Sequence, residues 1–169
     1  VESALKEVGI APPLLTGGGT GTHAIEADAD GLGELQAGSF IVMDVDYNRV
    51  DLRGGGERPF KDALFLRTSV VSAQHETFVT TDAGLKCFAT EGYMPVIATG
   101  APDGATYGWS GDEHGRVTLP EGAAALKIGD AMECVTPHCD PTINLHDCYH
   151  VCRGDVLVDI WPVDARGKR

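Results

Sequence analysis

The 169-residue chain is short of positive charge: 13 Lys and Arg stand against 25 Asp and Glu, a formal net charge of −12. An acidic surface does not hold a polyanion through bulk charge, so no nucleic acid or anionic membrane partner is expected. No apolar run approaches the roughly 20 residues that a membrane-spanning helix needs. The start, Val1-Glu2-Ser3-Ala4-Leu5-Lys6-Glu7-Val8, is amphipathic and charged and does not read as a signal peptide. The five cysteines (Cys87, Cys134, Cys139, Cys148 and Cys152) are odd in number and match no zinc-knuckle spacing. They read as reduced thiols of a cytoplasmic protein. Cys148 and Cys152 lie four apart, with too few donors nearby for a ligand role. Internal repeats and low-complexity tracts are lacking as well. Without a starting Met or an N-cap, the sequence reads as cut from something longer.

What is present is mostly strand pattern. Residues 1 to 9 suggest the last turns of a helix, with Leu5 and Val8 apolar at i and i+3 and Gly9 as a C-cap. Ile10 to Leu15 suits a short buried strand, and Ser39 to Asp44 is an apolar run of strand length. Residues 48 to 62 are polar and glycine-rich, the best candidate linker. From Ala63 the chain becomes β-rich. Strands are expected over Ala63–Ser72, Thr77–Thr81, Met94–Ala98, Ala105–Trp109, Gly115–Leu119 and Gly129–Thr136. Tyr149–Cys152 and Val156–Trp161 read as a hairpin closing the sheet. The fold class is therefore mainly β, a sandwich or barrel.

Two stretches carry chemistry. Thr16-Gly17-Gly18-Gly19-Thr20-Gly21-Thr22 converges backbone amides, and its threonines add hydroxyl donors, as an anion-binding loop would. It has neither the lysine of a Walker loop nor the Rossmann spacing. A flexible surface loop is the other account of it. Pro137-His138-Cys139-Asp140-Pro141-Thr142 places an imidazole and a carboxylate two residues apart. In an extended strand His138 and Asp140 would share one face, with Cys139 turned away and Pro141 ending the strand. Such a pair can hold a divalent metal with positions open for water and substrate, or simply share a hydrogen bond.

In order along the chain, six motifs resemble one family. They are Gly17-Gly18-Gly19-Thr20-Gly21-Thr22, Glu34-Leu35-Gln36-Ala37-Gly38-Ser39, Asp82-Ala83-Gly84-Leu85-Lys86, Asp112-Glu113-His114-Gly115, Pro137-His138-Cys139-Asp140-Pro141-Thr142 and Trp161-Pro162-Val163-Asp164-Ala165-Arg166-Gly167. The family is that of the fold-type III, pyridoxal-phosphate-dependent D-threonine aldolases and D-serine dehydratases. The resemblance implies that residues 1–47 are the end of an α/β (TIM-type) barrel and 63–169 a C-terminal β domain. It implies pyridoxal 5'-phosphate held at Gly18, Gly19, Thr20, Gly38 and Ser39, with Gln36 near the pyridine ring. It makes His138 and Asp140 the metal ligands. Dehydratases of this family tend to show cysteine where Asp140 stands, and a carboxylate suits Mn²⁺ or Mg²⁺ better than Zn²⁺.

The implied reaction cleaves a D-3-hydroxy amino acid to glycine and an aldehyde, in a cytoplasmic homodimer. A D-serine dehydratase, or a metal-binding β domain without catalysis, are the alternatives. The lysines are Lys6, Lys61, Lys86, Lys127 and Lys168. The family's cofactor lysine belongs on an early barrel strand, so Lys86 is read as structural and the chain alone as inactive. Among the histidines, His23 is a candidate to line the cofactor pocket and His114 an interface or supporting group. His75, His146 and His150 are read as surface or packing residues.

Overall fold

A computed structural model describes residues 1–29 and 31–167; Lys168 lies outside the described residues. The N-terminal part contains helix α1 (Glu2–Glu7), strand β1 (Thr16–Gly17), a 3₁₀ turn at Thr20–Thr22 and helix α2 (His23–Asp28). Strand β2 (Glu34–Leu35), a second 3₁₀ turn at Ser39–Ile41 and helix α3 (Val45–Asn48) follow. β1 and β2 pair in parallel around α2, a very short βαβ unit.

The bulk of the fold is one six-stranded antiparallel sheet in the order β5-β8-β3-β4-β7-β6. Its strands are β3 (Phe65–Ser72), β4 (Phe78–Thr81), β5 (Val96–Thr99), β6 (Thr106–Trp109), β7 (Gly115–Thr118) and β8 (Ala131–Val135). The sheet curls into a half-barrel, bringing its edge strands β5 and β6 towards each other. Side chains alternate as the pleat requires: Val79 and Thr81 point in from β4, and Val117 from β7. The core joins Val70, Val79, Ala83, Phe88, Tyr107, Val117, Met132 and Cys134. Buried Tyr107 donates its hydroxyl to Ala83 O at 2.6 Å and meets Thr81 Oγ1 at 2.7 Å. Gly115 makes that possible, since a Cβ there would stand 2.1 Å from Tyr107 Oη.

Two of the six motifs lock this sheet. Leu85 and Lys86 donate their amides to the carbonyls of Gly111 and Asp112. A Cβ at Gly84 would collide with Gly111 O and His114 N, both at 2.4 Å. Lys86 pairs with Glu113 across this contact, in keeping with a structural role.

Several local expectations need correction. Ile10–Leu15 is not a strand; pairing begins only at Thr16. Ser39–Asp44 is not one either. Although apolar, it has no partner strand among the described residues and turns through the 3₁₀ segment and a positive φ of 58° at Met43 into α3. The hairpin of β9 (Cys148–Arg153) and β10 (Val156–Pro162) does not close the main sheet but forms its own two-stranded one. The main sheet's edges, β5 and β6, are left to approach each other instead.

Candidate active site

The site lies just past the end of β8. His138 is extended, with φ −139° and ψ 125°, and Cys139–Ile143 forms helix α4. The expected strand therefore stops at Val135, and His138 and Asp140 converge by another route than strand alternation. His138 is the residue before the helix and Asp140 its second residue, so the chain turns sharply between them. Pro141 starts no new segment. It sits in the first helical turn, where its missing N–H costs nothing. Cys139 is buried.

His138 Nε2 and Asp140 Oδ2 are 3.4 Å apart. Two donors bonded at about 2.1–2.2 Å to one cation stand roughly 3.0–3.5 Å apart when they meet at about 90–110°, so the spacing fits shared ligation. Among the described residues no group of three or more His, Cys, Asp or Glu forms a metal cluster. Two protein donors leave coordination positions for water and substrate. Burial pushes the neighbouring Cys139 thiol up to about 12. The donor set is one imidazole and one carboxylate, suited to a harder ion.

Other elements hold this turn in place. Asp44, fully buried, accepts from Tyr47 N through Oδ1 and from Cys139 N through Oδ2, both at 2.8 Å. A single carboxylate thus caps α3 and α4 together. Val45 N and Asp46 N donate to the carbonyls of Thr136 and Pro137. Thr142 Oγ1 donates to His138 O at 2.7 Å and accepts from Ala89 N at 2.9 Å. His138 Nδ1 meets Glu91 Oε1 at 2.9 Å. Burial pulls the His138 pKa down, but the Glu91 hydrogen bond and the charges of Asp44, Asp140 and Glu91 outweigh it. The imidazole stands above its ordinary value.

The residues expected to bind phosphate come partly together here. Ser39 Oγ donates to Asp140 Oδ2 at 3.5 Å, which links the second glycine turn to the candidate metal pair. Thr20 Oγ1 accepts from Phe40 N at 3.1 Å, so the two loops are tied side by side. That hydroxyl is buried in a loop-to-loop contact. Gly18 has a φ of 68°, and a Cβ there would meet Glu26 Cγ at 2.9 Å. Gly19 and Gly38 have nothing within 4 Å of a built Cβ, leaving open space over their backbone. Gln36 is exposed beside β2 and donates its amide to Gly17 O. His23 Nδ1 donates to Thr20 O at 2.9 Å and packs its ring on Phe60, which also contacts Phe40. His114 is exposed, His75 stacks on Phe78 and His146 reaches Cys87 O.

Asp44, Glu91 and Thr142 were not among the residues singled out from sequence. Asp44 had a local signal, an aspartate just ahead of a helical turn, where N-caps fall. Glu91 had none, since it reaches His138 across 47 residues.

This curled sheet, with a His-x-Asp turn beyond one of its central strands, belongs to a recognisable class of β domain. Residues 63–152 match the family described as "Putative serine dehydratase domain", and the chain belongs to it. It is 39% identical over 168 residues to the 3-hydroxy-D-aspartate aldolase of Paracoccus denitrificans (strain Pd 1222), covering 98% of this chain and 42% of that protein. With the D-threonine aldolase of Arthrobacter sp. it shares 42% identity over 163 residues, covering 96% and 42%. The crystal structure of D-threonine aldolase from Filomicrobium marinum superposes with a TM-score of 0.89 at 34% identity, over 98% of this chain and 45% of that one. The D-threo-3-hydroxyaspartate dehydratase from Delftia sp. HT23 shares the fold, with a TM-score of 0.75 at 21% identity over 95% of this chain and 46% of that one. The chain spans about 42% of the length of the curated relatives it matches.

Proposed function

We propose that this chain forms the metal-holding part of a pyridoxal-phosphate- and divalent-metal-dependent lyase that cleaves D-3-hydroxy amino acids to glycine and an aldehyde. The carrying observation is the 3.4 Å approach of His138 Nε2 and Asp140 Oδ2 beside Ser39. Likeness to two aldolases acting on such substrates supports it. When bound, pyridoxal phosphate supplies an electron sink for breaking the Cα–Cβ bond and the metal a Lewis acid for the 3-hydroxyl.

The chain's own residues position these groups. His138 and Asp140 hold a Mn²⁺ or Mg²⁺ ion through one nitrogen and one oxygen. The backbone at Gly18-Gly19-Thr20 and Gly38-Ser39 receives the phosphate, with Thr20 keeping the two loops adjacent. Gln36, exposed beside β2, would be the residue offered to the pyridine ring. Asp44 keeps the metal turn and the second phosphate loop in one piece. The aldolase is favoured over the dehydratase because residue 140 is a carboxylate. For the whole protein the proposal includes a homodimer in the cytoplasm. Apolar side chains exposed along β10, Val156, Leu157, Val158, Ile160 and Trp161, support assembly.

The test uses protein from the complete coding sequence, with pyridoxal phosphate, Mn²⁺ and either D-threonine or D-3-hydroxyaspartate. Glycine and an aldehyde are expected, with loss of both in Asp140→Ala. A 2-oxo acid with ammonia would make it a dehydratase. Retained Mn²⁺ binding with no product from any D-amino acid would leave a binding domain without catalysis.

A further inference from the structure

We propose that Glu91 is the positioning residue for His138: its carboxylate keeps the imidazole proton on Nδ1 and turns a bare Nε2 towards Asp140. This rests on the assignment of His138 and Asp140 as metal ligands. A neutral imidazole carries its proton on one nitrogen only, and a carboxylate only accepts. At 2.9 Å from Glu91 Oε1, Nδ1 is therefore the donor. Nε2 keeps its lone pair, and it is Nε2 that lies 3.4 Å from Asp140 Oδ2. In the opposite tautomer an N–H would point there and could not bind a cation.

The contact is built into the fold on both sides. Glu91 lies on the loop between Phe88 and β5. The Thr142 hydroxyl that accepts from Ala89 N also donates to His138 O, so one side chain holds the main chain under both partners. Beyond Glu91, Gly92 takes a φ of 78°, and a Cβ there would stand 3.0 Å from both Asp46 carboxylate oxygens. The loop is thus pressed against α3. The Arg49 guanidinium, just after α3, lies 4.0 Å over the Tyr93 ring. With positions 89, 92 and 93 fixed, the side chain at 91 has little freedom over where its root is placed. The Glu91 side chain itself is 64% exposed. An exposed ion pair contributes little to stability, so its removal isolates the effect on the ring.

The test uses the 169-residue chain and reads two quantities for wild type, E91A, E91Q and H138A. Proton–nitrogen correlation spectra of His138, recorded as pH is raised until its ring signals stop moving, report the tautomer of the neutral ring in the metal-free protein. Calorimetric titration with Mn²⁺ reports affinity. Wild type should show the proton on Nδ1. E91A should shift it towards Nε2 and weaken Mn²⁺ binding by about 10- to 100-fold. E91Q, whose amide oxygen still accepts, should keep the wild-type tautomer and most of the affinity. If Mn²⁺ binding survives H138A, the metal assignment fails, and the tautomer shift alone judges Glu91. If H138A abolishes binding while E91A leaves tautomer and affinity unchanged, Glu91 is a plain surface pair and the proposal is overturned.

Discussion

The first 62 residues and the six-stranded sheet are ordered by different forces. The sheet buries its own apolar face: Val117 and Cys134 are 0% exposed, and the core around them comes from other strands and from Ala83 and Phe88 after β4. The N-terminal part buries fewer apolar side chains, Met43, Val45 and Leu52. Neither α1 nor α2 contains a buried residue, and Ile25 is 71% exposed. What it does bury includes Thr20, Ser39 and Asp44, and two of these three make hydrogen bonds to α4. The sheet is mainly a hydrophobic object, whereas the N-terminal part combines a few buried apolar side chains with polar contacts at the site. Integrity of the fold and integrity of the site should therefore respond to different substitutions.

Equal truncations in the two parts give the widest contrast. Phe88→Ala should cost about 3–5 kcal/mol, because the ring fills the core against Tyr107 and Trp109. Ile25→Ala should change stability by less than about 0.5 kcal/mol. Urea unfolding of both variants measures this, and comparable losses would erase the distinction. Asp44→Ala attacks the boundary instead. It removes caps from α3 and α4 at once, with an expected cost of about 2–4 kcal/mol. The β-sheet signal in circular dichroism should persist while Mn²⁺ binding is lost. Normal Mn²⁺ binding in this variant would show that the site does not need the N-terminal part.

A smaller effect belongs to the sheet alone. Asp82 Oδ1 accepts from Thr68 Oγ1 at 2.6 Å and Ser69 N at 2.9 Å. Burial alone would raise its pKa, but these bonds outweigh burial and hold it below the ordinary 3.8. A depressed carboxyl stabilises the fold above its unfolded pKa, and that stabilisation is lost as pH falls through the folded one. Asp82→Ala should therefore be less stable than wild type by about 1 kcal/mol at neutral pH. The gap should close as the pH drops below 3.8. A gap independent of pH would assign the loss to packing, and Mn²⁺ affinity should be unchanged throughout.

The strands of the sheet were legible in the sequence because alternation of apolar and polar residues is a local property. Val79 and Thr81 point inward from β4 at a spacing of two, and Val117 does so opposite them on β7. The turn glycines and the six motifs were equally visible, including His138 and Asp140, which lie close together along the chain. Continuous apolar runs were misleading: Ser39–Asp44 has strand composition but no strand beside it to complete its hydrogen bonds. Near Asp140, the run from His138 becomes a helix entrance because Asp44 accepts the amide of Cys139 from 95 residues away.

The chain by itself determined which residues want a buried face and which carry donor atoms. Only the tertiary structure decided that Ser39 would lie against Asp140, that Glu91 would reach His138, and that β9 and β10 would form a sheet of their own. The physical reason is range. Periodicity and capping act within a few residues, whereas a hydrogen bond across 47 or 101 residues exists only once the intervening sheet has folded.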